Sequence, residues 1–460
     1  MKTHSRILSW QTFLVVFVLK LQIACAVATT FSDANWISFG GLPGANGTVA
    51  VTAVDGHGNL YIGGVFNSVG NTVAHCIAKW DGNTWSTLGQ GVDNAVEALA
   101  FSSDGSVYAS GAFITAYNSD GTPVTVWGIA KWDGKQWSDL GGGVTGGVFG
   151  YFFVDALAVL GTNLYAGGFF SGMGGVTANY IAQWDGSAWS AVGSGVDDIV
   201  HTLTVSGGDV YAGGSFIYAG GTLARHIARW DGSAWSALAG GLDYGVNGIA
   251  VSGTNLYVGG NFNNAFNTGG ATVPAHYVVR WNGSTWSAVG NGMNNTVDAV
   301  AVEGNTLFAG GIFNKADGVS ANNIAQWDGK TWSALGSGTS PDSGGGADVR
   351  TLATWGTNLY AGGNFGMAGG QISAHIAHAV LGDAPSCNHL AGTLLSGGAM
   401  QLSYFGYPGT NYALDRTFNL TPPVNWVGQE TDSMTLSGIL LFTNTLVPGT
   451  NNFWRVRIVP

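Results

Sequence analysis

The sequence predicts an all-β protein built from one four-strand unit repeated seven times, followed by a second, smaller all-β domain. Three observations carry this. The motif W-D-G-x-x-W-S-x-L-G recurs with its first Trp at Trp80, Trp132, Trp184, Trp230, Trp281 and Trp327, at spacings of 52, 52, 46, 51 and 46 residues. A period of about 40–50 residues marks an array of identical supersecondary units. Each period holds four short segments rich in β-branched and aromatic residues, separated by Gly-Thr-Asn, Gly-Gly-Asp or Asp-Gly turns. No long segment shows a helical period.

The first 28 residues stand apart. Lys2 and Arg6 precede the apolar run Thr12–Leu19, and Ala26-Val27-Ala28 has the form of a cleavage site. This pattern predicts a secretory signal peptide over 1–28. Lys20 breaks the apolar stretch, which argues against an anchor of ~20 apolar residues, and Gln22-Ile23-Ala24 before Cys25 is a poor lipobox. No later segment has the length and apolarity of a membrane-spanning helix, so a secreted or cell-surface location is expected. The leader carries three cations (Lys2, Arg6, Lys20) and no acid, so without it 12 Lys+Arg face 26 Asp+Glu, a formal charge of −14. Such a surface repels phosphate backbones, and nucleic acid is excluded as a partner. Gly is 76 of 460 residues and charged residues only 9%. Together with 12% aromatics in register, this points to tight turns on a packed β-fold. Beyond Cys25 only Cys76 and Cys387 remain, which allows at most one disulfide and no disulfide framework.

Within the repeat, the first segment reads V-x-A-L-A-V, as in Val96–Phe101, Val154–Val159, Val200–Val205 and Val297–Val302. The second reads L-Y-x-G-G-x-F, the third I-A-x-W, and the fourth W-S-x-L-G. Four strands every ~50 residues is a propeller blade. The first three segments occur seven times, from near Val49, Val96, Val154, Val200, Val246, Val297 and Val349. The seventh unit ends at His375–Leu381 without a fourth segment, while an orphan Trp36-Ile37-Ser38-Phe39-Gly40 precedes the first. The N-terminal strand is therefore expected to complete the last blade. This gives a seven-bladed β-propeller over residues 29–382, closed by an N-terminal strand. The Trp and Gly positions have a packing explanation, since both faces of each blade are buried and Gly-Gly permits close backbone approach.

The Gly-Gly doublet, the aromatic-Asp pair and the following Trp, seen in Leu164-Tyr165-Ala166-Gly167-Gly168, Trp184-Asp185 and Trp189, resemble the kelch repeat. The resemblance covers 36–382. It departs in the shorter W-D-G-x-x-W spacing and in the Ile-Ala before the Trp, details more similar to repeats of secreted bacterial surface proteins and fungal cortical-marker proteins. It implies binding of a protein or glycan. A few kelch-like propellers are copper oxidases that need a Tyr-Cys pair, and residues 77–386 contain no Cys.

After a linker at 383–390, including Asp383-Ala384-Pro385-Ser386, residues 391–460 lose the period. Strands are expected at Met400–Phe405, Asn411–Asp415, Ile439–Thr443 and Phe453–Val459, with turns at Pro408-Gly409, Pro422-Pro423 and Pro448-Gly449. A small antiparallel β-sandwich fits. The stretch Gly406–Tyr412, Asn419-Leu420, Trp426 and Phe453-Trp454-Arg455 resembles the C-terminal immunoglobulin- or fibronectin-like modules of secreted bacterial proteins, which implies a spacer, adhesion or export role.

Blade connectivity places the second-to-third loops and the crossovers between blades on one face. These segments are long and variable, as in Thr115–Trp127, Tyr218–Arg225, Asn263–Ala275 and Ser337–Ala347. Function concentrates in variable loops on a rigid scaffold. The innermost strand starts at the same face with Val, and its second residue varies: Ala50, Glu97, Asp155, His201, Asn247, Asp298, Arg350. If registers match, Glu97, Asp155, His201, Asn247, Asp298 and Arg350 ring the channel mouth, the expected ligand site. The three acids are candidates for Ca²⁺, a sugar hydroxyl or a peptide amine; a merely solvated rim is the competing account. His75, His226, His276 and His375 open third strands in different blades and cannot share a metal. Asp197-Asp198 reads as a solvated turn. No G-x-S-x-G, H-E-x-x-H, P-loop or CxxC occurs. The expected function is non-catalytic binding or adhesion through the long-loop face, with a protein or glycan partner. The alternatives are a secreted carbohydrate-active enzyme using the mouth acids, and a purely structural surface component.

Overall fold

The computed structural model describes residues 31–37, 39, 44–147, 151–342 and 345–381, and six strands between 389 and 459. The leader, residue 382 and linker residues 383–388, with Cys387 among them, lie outside the described residues, whereas His389 and Leu390 of the expected linker 383–390 belong to a strand, because they pair with Phe405 and Tyr404. Among the described residues the fold is all-β, and seven four-stranded antiparallel sheets follow one another with the same strand order, the arrangement of a β-propeller. In the third sheet the order is Phe153–Leu160, Asn163–Phe169, Ile181–Trp184 and Trp189–Ala191. The seventh sheet takes Asp348–Trp355, Asn358–Asn364 and Ile376–Val380 from the C-terminal side of the repeat and Trp36–Ile37 from the N-terminal side. Trp36 pairs with Ala379 and Ile37 with His378.

The repeated residues make the contacts between sheets. The first Gly of each doublet lies against the first Val of the next inner strand: a Cβ at Gly167 would sit 2.5 Å from Cγ1 of Val200, and one at Gly362 would sit 2.6 Å from Cγ1 of Val49. The second contact runs from the last sheet to the first. There the Thr52 amide donates to Thr351 Oγ1 at 2.9 Å, and the two hydroxyls are also 2.9 Å apart. In the second sheet Ser110 replaces the Gly, and its hydroxyl donates to the Val154 carbonyl at 3.0 Å. The fourth-strand Trp reaches back instead. Trp137, Trp189, Trp235, Trp286 and Trp332 donate from Nε1 to the carbonyls of Leu88, Leu140, Val192, Leu238 and Val289, at 2.6–3.0 Å. Trp36 does the same to Leu335 at 3.2 Å. The orphan N-terminal segment is thus a fourth strand by contacts as well as by sequence. Each buried N–H would be costly unpaired, so these bonds fix the blade spacing.

Within a sheet, the two Trp of W-D-G-x-x-W pair across the third and fourth strands, with ring centroids 4.9–5.6 Å apart. The Asp between them folds the turn: Asp185 Oδ1 accepts the N–H groups of Ser187 and Ala188 at 2.8 Å. In the second-strand motif the ladder stops at or near the second Gly, and the following Phe turns inward. Phe113, Phe170, Phe216, Phe262 and Phe313 are fully buried.

The second-to-third loops are more ordered than the sequence suggests. Each carries a short hairpin, such as Thr115–Tyr117 with Pro123–Thr125. Each hairpin also bonds the incoming crossover, as Gly91–Val92 does with the hairpin strand Thr115–Tyr117. Asp93, Asp197 and Asp243 in the crossovers each take two hairpin N–H groups on Oδ1, at 2.8–3.1 Å. Asp197 is therefore a structural pin and not only a solvated turn.

Toward the C-terminus the chain forms a pair of three-stranded antiparallel sheets. One is His389–Leu394, Ala399–Phe405 and Ile439–Thr445; the other is Val427–Ser433, Asn411–Thr417 and Phe453–Val459. Four of these six strands are expected from the sequence, and His389–Leu394 and Val427–Ser433 are not. Val-Gly-Gln-Glu-Thr-Asp-Ser has little apolar alternation and gains its strand state from pairing with Asn411–Thr417.

Candidate functional site

The variable second residue of every inner strand occupies one structural position. In each sheet the ladder between first and second strands slips there: Val154 faces Gly168 and Ala156 faces Gly167, leaving Asp155 as the extra residue. The same bulge leaves out Ala50, Glu97, His201, Asn247, Asp298 and Arg350. A bulge bends the strand and re-aims one side chain. The second Gly of the doublet makes room for it, since a Cβ at Gly168 would lie 2.1 Å from the Phe153 carbonyl oxygen. The strand registers therefore match around the ring.

Neighbouring members of the ring meet. Asn247 donates to Asp298 Oδ1 at 2.9 Å across the fifth and sixth sheets. His201 Nδ1 lies 4.0 Å from Asp155 Oδ2 across the fourth and third sheets, while its Nε2 is 3.0 Å from Ser215 Oγ. Arg350, the exposed member, holds Asp348 in its own strand with 3.1 and 3.2 Å bonds. Asp348 and Ser215 were not picked out from sequence. Asp348 precedes the repeated Val, and Ser215 sits in the variable position of G-G-x-F, so comparing the copies at those two columns would have found both.

The half-buried ring biases its groups toward neutrality. Burial pushes the Asp155 carboxyl up to about 7, and the nearby Glu97 carboxylate adds to this. Burial also raises Glu97, against the pull of Arg350. Asp298 is pushed up to about 6 by burial; the Asn247 bond opposes this, Asp348 adds to it, and Arg350 opposes it. Burial lowers His201, and Asp198 works the other way. The His201–Asp155 proximity is thus a meeting of two groups that both favour their neutral forms, and at 4.0 Å it is not a strong ion pair.

Among the described residues, no group of three or more His, Cys, Asp or Glu side chains is placed to hold a metal ion. Glu97, Asp155 and Asp298 do not form such a group: Asp298 accepts the Asn247 bond, Arg350 favours the ionised forms of Glu97 and Asp298, and Asp155 has the largely neutral His201 beside it. His75 and His276 occupy one repeat position, and His226 and His375 the next, in separate sheets. His276 Nδ1 lies 3.0 Å from the Asn291 carbonyl oxygen and His375 Nδ1 3.2 Å from that of Gly363. Among the described residues Cys76 is a free thiol.

A second feature of this face was not read from the sequence. Among the described residues sixteen large apolar side chains are exposed, and all but Trp355 and Val427 lie in or at the ends of the crossovers and second-to-third loops. Trp127, Tyr151, Phe153, Tyr218 and Tyr244 belong to the second to fifth sheets and their crossovers, the same arc as Glu97, Asp155 and His201. Scattered exposed apolar residues are ordinary; here fourteen of the sixteen share one face.

No protein-family model matches the chain, and no curated protein does. Solved structures do match. The computationally designed Ika8 protein is 14% identical, covers 75% of this chain and 100% of its own, with a TM-score of 0.41. The WD40 β-propeller domain of Doa1 is 11% identical, covers 75% and 95%, with a TM-score of 0.45. The Pan2 WD40 domain of Neurospora crassa is 11% identical, covers 72% and 88%, with a TM-score of 0.36. The chain is a β-propeller repeat protein; these similarities concern fold and assign no activity.

Proposed function

We propose that this protein is a non-catalytic binding or adhesion protein of the cell exterior, which engages a protein or glycan partner through the face carrying the crossovers and hairpins. The observation that carries this reading is the gathering of exposed aromatic and aliphatic side chains on that face around a polar ring. In this reading residues 1–28 are a secretory leader, the seven sheets are a closed kelch-like propeller, and the C-terminal sheets form an immunoglobulin- or fibronectin-like sandwich that acts as a spacer or adhesion unit. Rigid aromatic side chains give contact area at low entropic cost, and a polar mouth among them supplies orientation.

The test is a screen of the labelled protein on a glycan array and on immobilised exterior proteins, repeated with Trp127, Tyr151, Tyr218 and Tyr244 all changed to Ser. Retained binding without product release by wild type, lost in the fourfold variant, is the expected result. Equal binding by the variant removes the face from consideration. The Glu97–Asp155 pair, with one carboxyl titrating near neutrality, favours a second reading, a carbohydrate-active enzyme with an acid and a base at the mouth. That reading requires turnover of an oligosaccharide that Asp155→Asn or Glu97→Gln abolishes.

A further inference from the structure

The junction of the first and second sheets contains a cavity of about 560 Å³ on the same face but away from the ring of bulge residues. Comparison of the repeats explains the open space. The residue just before each third strand has a left-handed backbone: Cys76, Gly128, Tyr180, His226, Tyr277, Asn323 and His375, with φ from 62° to 83°. In three other sheets this position meets the outgoing crossover. His226 stacks on Tyr244 at 6.3 Å, Asn323 donates to the Ala347 carbonyl at 2.8 Å, and Gly128 lies against the Phe152 ring. In the first sheet the side chain is only a thiol, and the crossover brings Asn94 where the fourth junction has Tyr244. Both fillers are missing from the same place.

The walls have a distinct chemistry. Asn67, His75, Gln90, Asp93 and Tyr117 present amide, imidazole, carboxylate and phenol groups, while Phe66 and Val92 supply an apolar patch. Among the described residues no Lys or Arg lines the cavity, so they offer an anion no fixed counter-charge. Asp93 is fixed by the two N–H groups on its Oδ1, from Ile114 at 2.9 Å and Thr115 at 3.1 Å. Mixed donors and acceptors beside an apolar patch match a ring that has hydroxyls on its edge and C–H groups on its face. The volume lies within the roughly 300–1,000 Å³ of small-molecule sites.

We propose that the cavity between the first and second sheets binds a neutral, hydroxyl-rich ring, a single pyranoside unit, with Cys76 in its wall. This site is separate from the channel mouth and does not depend on the exposed aromatic face being the binding surface.

Saturation-transfer NMR on the full chain, with the methyl glycosides of glucose, galactose, mannose and N-acetylglucosamine at millimolar concentration, tests it. Mass-spectrometric timing of Cys76 alkylation by iodoacetamide gives a second readout. At least one glycoside is expected to show transfer and to slow alkylation of Cys76 severalfold. Cys76→Tyr copies Tyr180 of the third sheet into the gap and is expected to abolish transfer. Should that variant fail to fold, Asn67→Ala with Gln90→Ala replaces it, with an expected loss of affinity of about tenfold, on the order of 1.4 kcal/mol. Absence of transfer to folded wild type for all four glycosides overturns the proposal. So does transfer that leaves Cys76 alkylation unchanged, or that survives the variants; if Glu97→Gln abolishes such transfer, the sugar belongs to the mouth instead.

Discussion

Replacing Asp155 by Asn keeps the shape of the side chain and removes a charge that the inner ring holds partly out of water. The folded protein pushes this carboxyl from 3.8 up to about 7, chiefly by burial. A carboxyl raised in the folded state stabilises least when ionised. Its favourable contribution is full below its unfolded value near 3.8, falls as pH rises, and is lost above about 7. At about 1.36 kcal/mol per pH unit the gap corresponds to about 4 kcal/mol. The side chain is still 25% exposed, so solvent reduces this, and about 2–4 kcal/mol is expected. The assay is urea unfolding of wild type and Asp155→Asn between pH 4 and 8. The variant gains relative to wild type across that window, most between pH 5 and 7. Taking the difference between the two proteins is essential, because lowered histidines such as His378 tilt the wild-type profile the other way over some of the range. A difference that stays flat from pH 4 to 8 would show that Asp155 is fully hydrated in the folded state, and the account of a desolvated ring would be wrong.

The remaining predictions concern the seam, the blade interface and the turns. His378 is pushed down to about 4 by burial, packs on Tyr360 at 4.6 Å and lies 2.8 Å from Asn358 Oδ1. Its unfolded form binds a proton first, so stability should fall as pH drops from about 6.5 to 4, and His378→Gln should flatten that limb in urea titrations. Trp36→Ala removes a side chain that is 1% exposed and should cost about 3–5 kcal/mol, as core Trp truncations do; a calorimetric loss well under 1 kcal/mol means the N-terminal strand does not close the seam. Gly167→Ala places a Cβ 2.5 Å from Val200 Cγ1 and should destabilise by about 1–3 kcal/mol; adding Val200→Ala should restore some of this, and simple additivity in the double-mutant cycle would contradict the contact. The W-D-G aspartates are held below their usual range by turn N–H bonds, Asp231 at about 2. The contribution of Asp231 is present above pH 4 and lost as pH falls through about 2, and the other W-D-G aspartates act in the same direction; far-UV circular dichroism should record a late acid transition that is smaller in a variant with Asp185 and Asp231 changed to Ala.

Much of the fold was legible because the repeat compares the chain with itself. Seven copies of Val at the head of the inner strand, and the orphan Trp36 before the first copy, were enough to place sheets and to expect the pairing of Trp36 with the last one. The candidate ring was legible for the same reason, as one variable column beside an invariant Val. What the columns could not give was direction and neighbourhood. The bulge that re-aims Asp155 arises because Val154 pairs with Gly168 and Ala156 with Gly167, and the pairing of Asn247 with Asp298 crosses 51 residues of sequence.

The sequence by itself determined the period, the strand content and the turn chemistry, because these follow from local alternation and from residues such as Asp-Gly that act over three or four positions. Tertiary structure alone decided which carboxyls lie out of water, which face gathers the exposed aromatics, and which junction stays open. Those properties depend on side chains brought together from different blades. At the first junction a thiol at Cys76 and an amide at Asn94 leave a space that neither residue reveals in isolation.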